Sequence, residues 1–399
     1  MPYYYPLKRD RNIKRRNRTV EGLQRIRKQL KDEKFPRKKA IDSLILGTWN
    51  IRNFDDDRFN YGPRMDESLY YIAEIISHFD VIAVQEICVD LWPLKKLMNK
   101  LGQEYDYIVT DVTHSSLGGN DERLGFIYNK HKVQFTGVAG EIVLPPNLMI
   151  SNNTDDNKRQ FSRTPFGVDF QSGWFKFFFS TVHIYFGSNS ESDPRYDRRV
   201  DEINAVAKYL ANEAKRSQER NTKISKNYVL VGDFNIKKEG SPGFNALKAN
   251  GFTVVTNNVG SNSDQTKFYD QISFMSKKDE LRFLQPRRKD RVIQFFNSVF
   301  REDDFEMYEP IMKERIADKI NEAEELLAEA TTASDKEKYE KRIENLKEAR
   351  KTDEALKAYY KKWRTFQMSD HLPLWIEIEI NFTDKYLEKI KNFNPDQNL

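Results

Sequence analysis

The chain has 399 residues, 38% of them apolar and 13% aromatic, which is room for one large domain or two ordinary ones with a substantial core. Its formal net charge of +5 is unevenly placed: residues 1–39 hold fifteen Lys/Arg against four Asp/Glu, leaving 51 of the 66 bases and 57 of the 61 acids for the rest. No apolar run approaches the roughly eighteen residues of a membrane span; the start lacks an apolar signal region and the single Cys88 excludes an intrachain disulfide, so a cytoplasmic setting is expected.

Residues 1–40 read as a basic N-terminal arm, partly helical, with Val20, Leu23, Ile26 and Leu30 at helical spacing. Such an arm attracts polyanions by counterion release, which makes nucleic acid the expected partner. From about residue 44 short apolar runs predict strands: Leu44–Ile51, Val81–Ile87, Leu124–Tyr128, Phe175–Ile184, Tyr228–Val231, Tyr269–Phe274 and Leu374–Ile380. Several are continuous rather than alternating, as in strands buried on both faces. Helices are expected over Met65–His78 and Asp193–Arg216, and the mixture implies a layered α/β body over residues 41–385. No internal repeat is evident.

Residues 280–365 read as an inserted segment. Its part from 305 to 361 has one proline, Pro310, and no glycine, and is rich in Glu, Lys, Ala and Leu. It predicts an antiparallel hairpin of two helices of roughly 25 residues, about 38 Å long. Ser334 and Glu337 fit a capping box for the second. The hairpin is either a solvated structural pair or an arm that docks substrate or a partner. Residues 386–399 read as a C-terminal tail.

Five segments end β-like runs with ionisable or polar groups: Thr48–Phe54, Val84-Gln85-Glu86, Thr181-Val182-His183, Val231–Asn235 and Ser369–Leu374. Phosphodiester cleavage needs oxygen ligands for a hard cation, a group to orient water and an acid for the leaving oxygen. Asn50, Glu86 and Asp370 supply oxygens, and His183 and His371 titrate near neutrality. Asp233 and Asn235, two apart, would share a face if both lay in a strand. Singly each signal is weak, since an Asp-x-Asn is more often a turn and a strand-end histidine more often a core residue. The order of the whole set carries the reading.

That ordered set resembles the endonuclease/exonuclease/phosphatase superfamily, most nearly its deoxyribonuclease I-like branch, over about residues 44–274 and again 366–380. The resemblance implies a four-layered α/β sandwich of two packed, mainly antiparallel sheets flanked by helices, here carrying the helical-hairpin insertion. It implies Mg²⁺, with Mn²⁺ as the alternative, at Asn50, Glu86 and Asp370. Catalysis then falls to His183, Asp233, Asn235 and His371, with Glu122 behind His183 and Asp270 behind His371; Arg163 and Arg52 would contact the substrate phosphate. Metal-dependent hydrolysis of nucleic acid is the expected function, bound through the basic arm and the active-site groove. A lipid-headgroup phosphatase and an inactive nucleic-acid-binding scaffold are the alternatives. Cys88 and Asn120 stand where the branch places the arginine and tyrosine that read the duplex minor groove, so that mode of binding is not expected.

Overall fold

A computed structural model describes residues 2–54, 57, 59–113, 119–152, 155–219, 227–276 and 281–392. Two sheets face each other. The first runs β13 (Leu374–Glu379), β1 (Ser43–Asn50), β2 (Val81–Cys88), β4 (Glu122–Asn129), β3 (Tyr105–Val109). The second runs β11 (Thr253–Val254), β12 (Asp270–Met275), β10 (Asn227–Asp233), β9 (Phe175–His183), β8 (Phe166–Ser172), β5 (Gln134–Glu141). A separate hairpin joins β6 (Ile150–Asn152) to β7 (Asp155–Arg159).

Each sheet has one parallel pair, β1 with β2 and β9 with β10, and is otherwise antiparallel. All eight residues of β1 and all seven of β10 are buried, which is why both read as continuous apolar runs. Gly47 is required where β1 is crowded: a Cβ there would lie 2.4 Å from the Phe79 ring and 2.6 Å from the Leu374 carbonyl. Between the sheets, Phe126 packs against Phe179 with ring centres 4.9 Å apart, within one core that also takes in Phe166, Phe177 and Ile272. Flanking helices complete a four-layered α/β sandwich. The outer face of the second sheet packs on α5 (Pro194–Glu219) and α6 (Pro242–Ala249); α3 (Asp66–Ile76) and α4 (Trp92–Leu101) pack beside the first. Among the described residues no helix is long and apolar enough to cross a membrane.

Strands β3, β5, β6, β7, β8 and β11 escaped the sequence reading. Strand β5 is an edge whose eight residues are all exposed, so no apolar pattern marks it. The basic N-terminal arm is helical, as its spacing predicts, and it packs on the body. After the short α1 (Tyr5–Lys8), α2 (Ile13–Asp32) buries Leu23, Ile26 and Leu30, while Val20 stays exposed. Arg18 forks onto the buried Glu67 and Arg27 reaches the buried Glu74, so part of the basic charge is spent on internal pairs.

The insertion differs from the expected pair of long helices. It holds three: α7 (Phe305–Glu329), α8 (Ala333–Ala349) and α9 (Asp353–Gln367). Thr332, rather than Ser334, caps α8 by accepting the Asp335 N–H at 3.1 Å, and Thr352 caps α9 by accepting from Ala355 at 3.1 Å. The Glu/Lys/Ala composition runs through the break at 350–352 and hides it. In the expected C-terminal tail, α10 (Thr383–Lys391) covers the first residues, and 393–399 lie outside the described residues.

Candidate active site

The chain directions of the two sheets bring seven side chains to one end of the sandwich. Asn50, His183 and Asp233 close β1, β9 and β10, and Glu86 lies near the end of β2. Glu122 and Asp270 open the antiparallel β4 and β12, and His371 precedes β13. In register, Asp233 stands opposite both His183 and Asp270.

At the centre is Asp233, buried with its Oδ2 3.6 Å from Nε2 of His183 and 3.6 Å from Nε2 of His371. Asn50 Nδ2 donates to the same oxygen at 3.1 Å, and the Asn235 N–H donates to Oδ1 at 2.9 Å. Each imidazole is backed by a carboxylate on its other nitrogen: His183 Nδ1 lies 2.8 Å from Glu122 Oε1, and His371 Nδ1 2.8 Å from Asp270 Oδ2. Such partners fix the tautomer and stabilise the imidazolium.

Burial works against charge on both imidazoles, but the carboxylates outweigh it. His371 is held well above the usual histidine range by Asp270 and Asp233, and His183 above it by Glu122 and Asp233 despite Arg163. Burial likewise pushes Glu122 and Asp233 up, yet neighbouring cations hold both below their ordinary values. For Asp270 burial prevails and its carboxyl is raised.

The Asn235 correction is one of geometry. Strand β10 stops at Asp233 and Asn235 adopts φ +54°, so the two residues meet through a tight turn rather than by strand alternation. Asn235 Nδ2 donates to the Ile184 carbonyl at 2.9 Å, tying the turn to the end of β9.

Glu86 sits at φ +61° where the β2–β4 ladder slips register between Val84 and Ile87. A non-glycine residue in that region is strained, and here the bulge turns a half-buried carboxylate into the site. Its Oε2 accepts the Asn53 N–H at 2.7 Å and its Oε1 accepts from Asn50 at 2.9 Å. Nothing in the sequence marks this strain.

The donor set fits a hard cation. Asn50 Oδ1 is buried and, among the described residues, accepts no hydrogen bond, beside the Glu86 carboxylate. Glu86, Glu122 and His183 offer ligand atoms within 4.8 Å of one another. Asp370, expected at the metal, turns its carboxylate to Arg52 at 3.2 Å. Arg163, expected at the phosphate, is buried behind His183, where it pairs with Glu122 and donates to the His183 carbonyl at 3.4 Å. Arg52 is the more open cation, bonded to Thr365 Oγ1 at 2.7 Å and lying 3.9 Å from the Phe366 ring centre.

Two positioning residues were not singled out from sequence. Ser369 donates to the Asn50 carbonyl at 2.6 Å and accepts the backbone N–H groups of His371 at 3.0 Å and Arg52 at 3.2 Å. Its place inside Ser-Asp-His was the available signal. Gln85 Nε2 donates to Thr48 at 3.0 Å and to Thr181 at 2.8 Å, bolting one sheet to the other beneath the site. A buried amide ending an apolar strand was its signal.

Residues 47–273 match the family model described as Endonuclease/Exonuclease/phosphatase family. Among solved structures, the Bacteroides thetaiotaomicron mannosyl-6-phosphatase Bt3783 aligns at 18% identity over 60% of this chain and 87% of its own, with TM-score 0.42. An endonuclease/exonuclease/phosphatase from Bacteroides vulgatus aligns at 12% identity over 85% and 99%, with TM-score 0.44. The human Nocturnin catalytic domain aligns at 12% identity over 61% and 84%, with TM-score 0.41. No significant match was found among curated proteins.

Proposed function

The chain belongs to the endonuclease/exonuclease/phosphatase family, whose members hydrolyse phosphoesters, and from that premise we propose that it is a divalent-metal-dependent nuclease cleaving phosphodiester bonds by water attack. The observation that carries the reading is the central carboxylate, with both imidazoles 3.6 Å from Asp233 Oδ2 and each backed by its own carboxylate. This arrangement would let a water and the protons it exchanges meet in a buried site.

Asn50 and Glu86 would hold Mg²⁺ or Mn²⁺, with Asp370, now paired with Arg52, as the further candidate ligand; the ion would supply charge neutralisation at the phosphoryl oxygens. Asp233 and Asn235 orient the attacking water. His183 and His371 act as base and acid: one takes the proton that the attacking water loses, and the other, as imidazolium, passes its proton to the leaving oxygen. Arg163 steadies the His183–Glu122 pair, and Arg52 meets substrate phosphate at the rim. Nucleic acid is the substrate this reading favours, because the exposed bases of α1 and α2 and Arg52 offer positive charge to a polyanion.

The test is hydrolysis of labelled single- and double-stranded DNA, RNA and a soluble phosphoinositide, each with Mg²⁺, Mn²⁺ or chelator. Metal-dependent cutting of a nucleic acid that falls by a factor of about 10³ or more in Glu86→Ala and His371→Ala is expected. Wild-type activity in either variant removes the site assignment. Turnover of the phosphoinositide alone keeps the reaction and overturns the substrate.

A further inference from the structure

The inserted helices α8 and α9, with Arg52 and Phe59, Asn60 and Tyr61 after β1, line a groove of about 530 Å³. Its cationic side is drawn from three elements: Lys338, Lys341 and Arg342 on α8, Lys362 on α9 and Arg52 after β1. No acidic residue lines it among the described residues. On α8 the lining residues Lys338, Lys341, Arg342 and Asn345 recur at spacings of three and four, so they share one helical face. Arg342 is paired with Glu322 at 2.8 Å and Arg52 with Asp370 at 3.2 Å. Lys338, Lys341 and Lys362 are exposed and form no ion pair among the described residues.

The floor is aromatic. The Tyr61 ring stacks on Phe366 at 4.6 Å and 11°, and lies 5.1 Å from Tyr359. Phe59 packs its ring 5.8 Å from Phe366 yet remains 48% exposed, leaving a face to receive another flat group. Arg52 and α9 join the groove to the candidate site. Arg52 lies over Phe366 and pairs with Asp370, and α9 ends two residues before the Ser369-Asp370-His371 turn.

Three cations with no ion pair among the described residues, set around stacked rings, offer what a single strand of nucleic acid requires: charge for its phosphates and flat faces for its bases. A lipid headgroup uses the charge but not the exposed ring. We propose that this groove takes a single strand of nucleic acid and guides it to the catalytic centre, with phosphates on Lys338, Lys341 and Lys362 and an unstacked base on Phe59. The proposal rests on the nuclease reading for its substrate, and assigns the insertion as the part of the chain that selects single strands.

Binding measured apart from cleavage tests it. The full chain is titrated in chelator against a labelled oligothymidylate of about twelve nucleotides, by fluorescence anisotropy over a range of salt. Lys338→Gln/Lys341→Gln is expected to weaken binding about tenfold and to flatten the slope of log affinity against log salt by about 1.4. Phe59→Ala is expected to weaken it roughly tenfold with the slope unchanged. Lys208→Gln/Lys215→Gln on α5 makes the same charge change far from the insertion and controls for net charge. Equal affinity in the wild type and the α8 variant, or a loss matched by the α5 variant, overturns the groove. So does a wild type that ignores the oligonucleotide and binds phosphoinositide vesicles instead. Because the titration requires no hydrolysis, a failure of the catalytic reading shows separately, as a chain that binds but does not cut when metal is supplied.

Discussion

Asp233 is held by a backbone N–H, an amide and two imidazoles, and burial there is offset by partners on every side. Asp169 on β8 shows the opposite condition. It is buried, its Oδ1 accepts no hydrogen bond among the described residues, and burial pushes its carboxyl up to about 6. A carboxyl raised in the folded state binds its proton more tightly there than in the unfolded chain. Its contribution to stability is therefore present below about pH 4 and lost as pH rises through about 6. The full shift would correspond to about 3 kcal/mol; partial solvation of the group reduces this to about 1 kcal/mol. Asp169→Asn keeps the shape and removes the charge. Thermal unfolding from pH 4 to 8 should show the two proteins converging at the acid end, with the variant more stable by about 1 kcal/mol at pH 7.5. Parallel curves would mean that Asp169 has a partner in solution.

At the scale of elements, the insertion depends on caps that composition conceals. Helix α9 delivers the Ser369-Asp370-His371 turn, and its start is fixed by Thr352 accepting the Ala355 N–H at 3.1 Å. Thr352→Ala is expected to lower stability by about 1 kcal/mol. The cap lies at the far end of α9 from His371, and Trp363 and Phe366 anchor the helix in the core, so metal-dependent turnover should change less than twofold. A large loss of turnover with an unchanged melting midpoint would instead show that α9 moves as a lever on the site. Strands β1 and β10 were legible from sequence as unbroken apolar runs because they are enclosed, whereas the largely enclosed β8 was not, since Gly167, Asp169 and Gln171 interrupt its apolar residues. Strand β5 was not legible, since an exposed edge carries no apolar period, and the break between α8 and α9 was not, since helix formers run through it. Glu86 could be found by type and place, whereas the φ of +61° that aims it comes from the bulge opposite β4, which no local pattern encodes.

For the whole molecule, distant segments had to converge. The order of Asn50, Glu86, His183, Asp233 and His371 along the chain was readable because each closes or borders a strand. That Asp233 lies between the two histidines follows from sheet order, which local patterns leave open. At the N-terminus, charge marked a basic arm and left open whether it packs on the body. Helix spacing put Leu23, Ile26 and Leu30 on one face, and that face is buried against α3, with Gly22 so close that a Cβ would lie 2.5 Å from the Tyr71 hydroxyl. Phe35 then packs 4.8 Å from Trp375 and 5.6 Å from Phe79. Four buried apolar side chains at about 1.5–3 kcal/mol each amount to about 6–12 kcal/mol before entropy, comparable to the entire stability of a typical domain. Deleting residues 1–36 should therefore yield a chain that melts many degrees lower or aggregates, losing activity with its fold. Were the segment only a polyanion-binding arm, the shortened chain would keep its melting midpoint and lose affinity for nucleic acid alone. Arg18→Ala separates the two readings without truncation. It leaves the Glu67 carboxylate buried without its forked partner, which should lower stability by about 3 kcal/mol, while a free arm would lose only one charge among fifteen.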